Sequence, residues 1–303
     1  LIVSRNSQLQ TLRVADVIRI NGDLIVNSHQ SLELLEFPGL RQIDGAARIT
    51  YNDFMQELRF PALKDIGHGL TLIHNNALES IDLSEVDSTG MLFFQSNETL
   101  NEIRLDGLEW IGSWKGEDEG YVNKSFNLSE NPNLRKIELP ELKSVESDMR
   151  ISKNLALKEI GLPNLLEIGG DFELDKHNSV EQLNLPQIEA LGGSLEVNSM
   201  DKLLRIAMPR LDRIEGNLQV RYNNDLSKLD MPSLRKIGGN CLASYNSLGT
   251  SNINQLISVM HENKDGSDGL IELQGQLPKA APSGSMYSKI KDLKERGFEI
   301  ETD

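Results

Sequence analysis

The side chains best suited to bind a ligand cluster in one interruption of an otherwise regular sequence. This insertion, Gly112–Lys124, reads GSWKGEDEGYVNK and brings aromatic rings next to carboxylates. Aromatic faces give large, rigid contact areas that stack on sugar rings or anchor a partner protein. The predicted ligand-binding residues are Trp110, Trp114, Glu117, Asp118, Glu119 and Tyr121. The alternative interpretation is a solvent loop whose tryptophan only covers the flank of the fold.

The rest of the sequence carries no motif of catalysis or metal binding. The five histidines form no HxxxH or HxH pair, and no GxSxG, P-loop or dinucleotide-binding motif occurs. The GEDEG run lacks the alternating oxygen ligands of an EF-hand loop. We therefore predict a non-enzyme without metal or cofactor. The alternative is a polysaccharide-active enzyme, which would use acids on exposed strands such as Glu173, Asp175 and Glu196.

A 23-residue repeat must position these residues. One copy, Asn217–Gly239, reads NLQVRYNNDLSKLDMPSLRKIGG. A fixed period of this length is typical of a solenoid, in which each coil buries its apolar side against its neighbours. Apolar pairs at two-residue spacing predict a short strand in each coil, so we predict a mainly β solenoid. The repeat is marked by prolines at Pro140, Pro163, Pro186, Pro209 and Pro232.

Three slots of the repeat carry structural predictions. An asparagine nine residues before the proline slot predicts a ladder of stacked carboxamides, in which His29, His177 and Met200 are substitutes. The glycine that closes each copy predicts a corner with positive φ. The single cysteine, Cys241, falls on a core slot, so we predict a buried and unreactive thiol.

After Thr250 the pattern changes from strands to helices and strands. Helices are predicted at Ser251–Glu262, with Ser251 as the N-cap, and at Ser283–Arg296; strands are predicted at Leu270–Gln274 and Phe298–Glu301. Solenoids need a cap over the last coil. We therefore predict two domains, a solenoid over 1–249 with its insertion at 112–124, and a helix-strand-helix-strand cap over 250–303.

The composition limits the possible partners. The formal net charge of −15 disfavours nucleic acid, whose phosphates need a basic surface. No run of about 18 apolar residues occurs, so no membrane insertion is predicted. Leu1 lies inside a copy of the repeat, and we expect any signal or anchor segment to lie outside this sequence. We also expect a monomer.

The shared pattern, with LxVxxN, LP and IGG in each copy, resembles the receptor L-domain group of leucine-rich-repeat-like proteins, and most closely bacterial surface leucine-rich-repeat proteins. The last segment, from GLIELQGQ to KDLKERGFEI, is similar to their cap. Receptor lobes carry cystines, which one cysteine cannot form. The resemblance implies a right-handed parallel β-helix-like solenoid on an exported or cell-surface protein. It implies binding or adhesion to a protein or glycan without catalysis; a purely structural envelope protein is the remaining alternative.

Overall fold

The computed structural model describes residues 1–112, 125–263 and 268–303. The chain forms two compact units, Leu1–Pro163 and Asn164–Asp303. Each unit is a stretch of parallel β-solenoid with a spacing of 23 residues, so the predicted fold class is confirmed. Ile2, for example, pairs with Ile25, which in turn pairs with Arg48.

The coils of the first unit contribute up to three short strands each, and like strands of neighbouring coils pair in parallel. The first strands are Ile2–Ser4, Leu24–Asn27, Ala46–Thr50, Gly69–Ile73, Leu92–Gln95, Phe126–Ser129 and Met149–Ser152. The second strands are Thr11–Arg13, Leu34–Glu36, Glu57–Arg59, Ser80–Asp82, Glu102–Arg104, Lys136–Glu138 and Glu159–Gly161, of which the last two form a separate pair. The third strands are Arg19–Ile20, Gln42–Ile43, Asp65–Ile66, Ser88–Thr89, Trp110–Ile111 and Ser144–Val145.

The second unit repeats this plan. Its first strands are Phe172–Asp175, Leu195–Asn198, Leu218–Arg221, Cys241–Leu242, Gly269–Glu272 and Phe298–Glu301. Its second strands are Gln182–Asn184, Arg205–Ala207 and Lys228–Asp230. Its third strands are Glu167–Ile168, Ala190–Leu191, Arg213–Ile214 and Lys236–Ile237. Its helices are α1, Thr250–Glu262, and α2, Tyr287–Glu295, which a 3₁₀ turn at Gly284–Met286 precedes.

The core of each unit is built from alternate residues of the strands, because successive side chains point to opposite faces. Leu24 and Val26 in the first unit and Leu174 in the second are fully buried. Cys241 is fully buried as well, and desolvation raises its pKa to about 12. The prediction that Cys241 is buried on a core slot is therefore confirmed, and that its thiol is unreactive stays a prediction.

The predicted asparagine ladder is present in both units. Asn75 accepts a hydrogen bond from the Asn52 amide (3.2 Å) and donates one to Asn97 (3.3 Å). Each amide also donates to a backbone carbonyl of the preceding coil, as Asn223 does to Val197 (2.9 Å). His29 substitutes as predicted, because its ring Nε2 lies 3.2 Å from the backbone carbonyl oxygen of Val3, as a ladder amide would.

The predicted role of the closing glycines is wrong. Positive φ occurs instead one residue before the ladder, and none of the residues there is glycine. Closing glycines are instead required where one coil closely approaches the next: a Cβ on Gly45 would lie 2.7 Å from the carbonyl carbon of Gly22. On Gly193 it would lie 2.6 Å from that of Gly170. A side chain at these positions would clash with backbone.

The last part of the second unit follows the predicted order of two helices and two strands. The predicted N-cap is wrong: Gly249 precedes α1, and no side chain caps it.

Gln276 continues the ladder after Asn246, since its buried side-chain amide donates a hydrogen bond to Ala243 O (2.7 Å). Burial raises the pKa of Asp303, but backbone N–H donors of Gly275, Gln276 and Ala280 outweigh it and lower that pKa below its ordinary value. The proposed boundary between 1–249 and 250–303 stays a prediction.

Candidate ligand-binding site

A row of third-strand residues surrounds Trp110 in the first unit. In register order these residues are Asp65, Ser88, Trp110 and Ser144, each on a neighbouring parallel strand. Adjacent strands lie about 4.8 Å apart, so each residue is the direct neighbour of the next. The indole therefore stands between two serines, which are too small to cover its faces.

The small neighbours leave a cleft of about 600 Å³ beside the indole. Trp110 is 50% exposed, although it lies on a strand of the sheet. The cleft combines an aromatic ring with carboxylates, hydroxyl groups and backbone. It is lined by Asp65, Asp87, Ser88, Thr89, Glu109, Trp110, Ile111, Gly112, Ser144 and Glu146.

One cation offsets part of the acidic charge of this cleft. The Lys143 ammonium lies 5.6 Å from the Trp110 ring centroid and forms an ion pair with Glu109 at 2.6 Å. A cation over an indole face contributes about 0.5–1 kcal/mol at an exposed site. Lys143 therefore lies on the side of the ring next to the Ser144 strand, whereas Ser88 is the neighbour in register on the other side.

The backbone around the cleft is tightly packed. Gly112 donates its N–H to Thr89 O (3.0 Å) and has a φ of +153°. A Cβ on Gly112 would lie 2.4 Å from the Cβ of Glu146. Glycine is therefore required where the chain leaves the third strand toward the insertion. The insertion does not disturb the register, since Trp110 pairs with Ser144, 34 residues later.

Of the predicted binding residues, the structure describes only Trp110, which lines the cleft with half of its surface exposed and whose role in binding stays a prediction. The other predicted residues, Trp114, Glu117, Asp118, Glu119 and Tyr121, lie outside the described residues and stay predictions. Sequence reasoning missed the neighbours Asp65, Ser88 and Ser144. All three stand four residues after the proline slot of their copies, as Trp110 does, so reading that slot down the repeat would have found them.

The outer face of the first-strand sheet is the second candidate surface, and its charges pair with one another. Arg48 forms an ion pair with Asp23 at 2.6 Å in the first unit, and Arg221 pairs with Glu272 in the second. The backbone N–H of Ala46 lowers the pKa of the Asp23 carboxyl below its ordinary value, and Arg48 lowers it further. Burial has the opposite, smaller effect. Internally paired charges favour a solvated surface over a ligand site.

The acids named for an enzyme lie on the first-strand sheet of the second unit. Glu173 and Glu196 are register neighbours on the first-strand sheet of the second unit, and Asp175 pairs with Lys176 at 3.0 Å. Over residues 1–112, 125–263 and 268–303, no group of three His, Cys, Asp or Glu side chains could hold a metal ion. Four carboxylates do line the Trp110 cleft, namely those of Asp65, Asp87, Glu109 and Glu146.

No family model, no curated protein and no solved structure matches this chain. Within the described part of the chain, neither helix has the length and apolar character needed to cross a bilayer. The function must therefore be argued from the solenoid and its cleft.

Proposed function

We propose that this chain is a non-catalytic recognition protein that binds an uncharged glycan in the Trp110 cleft. The observation that carries the proposal is the half-exposed indole between Ser88 and Ser144, in a cleft of about 600 Å³ lined by carboxylates. An indole face suits the apolar C–H face of a sugar ring, and carboxylates accept hydrogen bonds from sugar hydroxyls.

The repeat supports a wider setting for this activity. The 23-residue coils, the asparagine ladder and the capping segment fit the resemblance to surface leucine-rich-repeat and receptor L-domain-like proteins. We place the protein outside the cell or on its surface, where a solenoid would display the cleft to glycans or to glycosylated partners in adhesion.

Fluorescence titration tests this proposal directly. The chain has two tryptophans, so a Trp114→Phe variant keeps Trp110 as its only indole reporter. We expect one or more of cellohexaose, mannohexaose, laminarihexaose and chitohexaose to change its emission saturably. Calorimetry of Trp110→Ala should then show at least about tenfold weaker binding, equivalent to about 1.4 kcal/mol.

Two further variants separate the cleft from general effects. Phe54 is an equally exposed aromatic residue (59%) of the same unit, and Phe54→Ala should bind as the wild type does. Ser88→Leu should fill the cleft and abolish binding while Trp110 stays in place. Unchanged binding by Trp110→Ala, or no response to any of the four glycans, would contradict the proposal.

A polysaccharide-active enzyme is the second candidate, because Asp65, Asp87, Glu109 and Glu146 share one cleft with an aromatic platform. Paired carboxylates are the usual catalytic groups of glycoside hydrolysis. The same four glycans, incubated with the wild type, should release no new reducing ends if the protein only binds. Release that disappears in both Asp87→Asn and Glu109→Gln would favour the enzyme instead.

A further inference from the structure

A second kind of surface follows the left-handed corner of the coils. The residue that directly precedes each ladder position has φ between 52° and 58°. Residues other than glycine rarely adopt this backbone conformation. These corner residues are Arg5, Ser28, Tyr51, His74, Ser96, Glu130 and Lys153 in the first unit, and Lys176, Ser199, Tyr222 and Tyr245 in the second. We call them the corner row.

Aromatic residues of the corner row stack in pairs. In the second unit the rings of Tyr222 and Tyr245 are 5.1 Å apart and inclined by 7°. In the first unit Tyr51 and His74 are also 5.1 Å apart, with an inclination of 28°. The centroid distances match the strand spacing of about 4.8 Å, so the solenoid itself sets the separation of the rings.

The stack in the second unit has one covered end and one open end. Beyond Tyr245 lies Gly275, where a Cβ would approach the Tyr245 ring to 2.7 Å, so the glycine backbone packs against that face. On the other side of Tyr222 the next corner residue is Ser199, which has no ring to offer. Tyr222 is accordingly 54% exposed.

The same order of residues occurs in both units. Lys176, Ser199, Tyr222 and Tyr245 follow one another along the second unit, and Arg5, Ser28, Tyr51 and His74 along the first. In each case a cation and a tyrosine are separated by a serine. Tyr51 is 55% exposed, close to the value for Tyr222. Two separate stretches of the chain therefore present the same constellation.

The coil whose corner residue is serine, here called the serine step, leaves room for a single ring beside the tyrosine. One coil without a ring leaves about one strand spacing between the tyrosine face and the next coil, which is the thickness of one stacked ring. Exposed polar residues recur two residues after the corner residues of the second unit, namely Asn178, Asp201 and Asn224. Amide groups donate to and accept from hydroxyl groups, and carboxylates accept hydrogen bonds from them.

We infer that Ser199 with Tyr222, and Ser28 with Tyr51, are two further binding sites for a sugar ring of an uncharged glycan. In each site the ring stacks on the open face of the tyrosine over the serine, and Lys176 or Arg5 donates hydrogen bonds to its hydroxyl groups. Lys176 stays paired with Asp175 and supplies its remaining protons. These sites share the ligand class of the proposed function but do not require the Trp110 cleft.

Fluorine NMR of protein labelled with 3-fluorotyrosine tests this inference residue by residue. The chain has five tyrosines, which can be assigned by single Tyr→Phe changes. The experiment uses a Trp110→Ala background, so that failure of the cleft does not affect the result. Cellohexaose, mannohexaose, laminarihexaose and chitohexaose are the probes. With one of them, the Tyr222 and Tyr51 signals should shift saturably.

Tyr287 is the matched control, because it is 65% exposed and takes part in none of the ring pairs among the described residues. Its signal should not move. Ser199→Tyr should extend the stack by a third ring and abolish the shift at Tyr222, while the shift at Tyr51 persists. The inference is overturned if no probe shifts Tyr222 and Tyr51, if Tyr287 shifts equally, or if Ser199→Tyr leaves the Tyr222 response intact.

Discussion

At the scale of single residues, the ladder is the most demanding part of the structure. Asn223 is fully buried; it accepts from Met200 N–H (3.0 Å) and donates to Val197 O (2.9 Å) and to Asn246 (3.2 Å). Coils leave backbone groups at their corners that no strand can pair. Buried polar groups without hydrogen-bond partners are costly, so this position needs a side chain that both donates and accepts hydrogen bonds and not merely one of the right size.

Asn223→Ala should therefore lower the free energy of unfolding by about 3 kcal/mol, because a buried donor and acceptors lose their partner. Urea denaturation followed by circular dichroism measures the change as a lower midpoint at constant slope. The neighbouring exposed Asn224 is the matched control, and Asn224→Ala should stay within about 0.5 kcal/mol of the wild type. Equal effects at both positions would show that the ladder does not contribute to stability.

The sequence predicted the ladder because the asparagine recurs at one slot, and a recurring polar residue among apolar ones signals a structural hydrogen bond. It did not predict the corner conformation. The corner row mixes charged, hydroxyl and aromatic residues, so no residue type reveals its positive φ. The glycine pattern was visible, but a glycine can serve either a left-handed turn or a close approach, and only coordinates separate the two.

At the scale of elements, the closing glycine controls how closely one coil approaches the next. Gly22 and Gly45 occupy the same slot in consecutive copies. A Cβ on Gly45 would meet backbone of the preceding coil at 2.7 Å, whereas a Cβ on Gly22 has no atom within 4 Å. The two positions differ in their surroundings and not in their place in the repeat.

Gly45→Ala should lower the free energy of unfolding by about 1–3 kcal/mol, since backbone must shift to admit the methyl group. Gly22→Ala should be neutral or slightly stabilising, because alanine restricts the unfolded chain and meets no obstacle in the fold. Thermal unfolding of both variants measures the difference. A loss of stability in Gly22→Ala equal to that in Gly45→Ala would point to a conformational requirement at this slot instead of close approach.

The Trp110 cleft also belongs to this scale, and only its aromatic residue could be predicted. The insertion drew attention to Trp110 because it interrupts the period. Asp65, Ser88 and Ser144 carry no such signal, since each is an ordinary polar residue on an exposed slot of its own copy. They form a site only when the register sets them on neighbouring strands.

At the scale of the whole molecule, the charge of −15 is spread over surfaces whose ion pairs are largely exposed. Arg104 and Asp82, for example, pair at 3.3 Å with side chains 51% and 55% exposed. Such pairs contribute little individually. The self-repulsion of the excess acids should therefore dominate the electrostatic part of stability at low salt.

Raising NaCl from 20 to 300 mM should accordingly increase the melting temperature by roughly 2–4 °C, as salt screens the repulsion. Scanning calorimetry at pH 7 measures the shift, and sucrose of equal osmolarity separates screening from exclusion at the surface. A lower melting temperature in salt would mean that the ion pairs outweigh the excess charge.

The corner row has a consequence for how this protein can change. Its backbone conformation is the same whether the residue is arginine, serine, tyrosine, histidine, glutamate or lysine. The ladder and the core beneath it do not depend on which side chain stands there. A library that excludes proline and the β-branched residues, which do not tolerate this positive φ, should keep the fold, so new specificities could be selected, in evolution or in the laboratory, without repacking the interior.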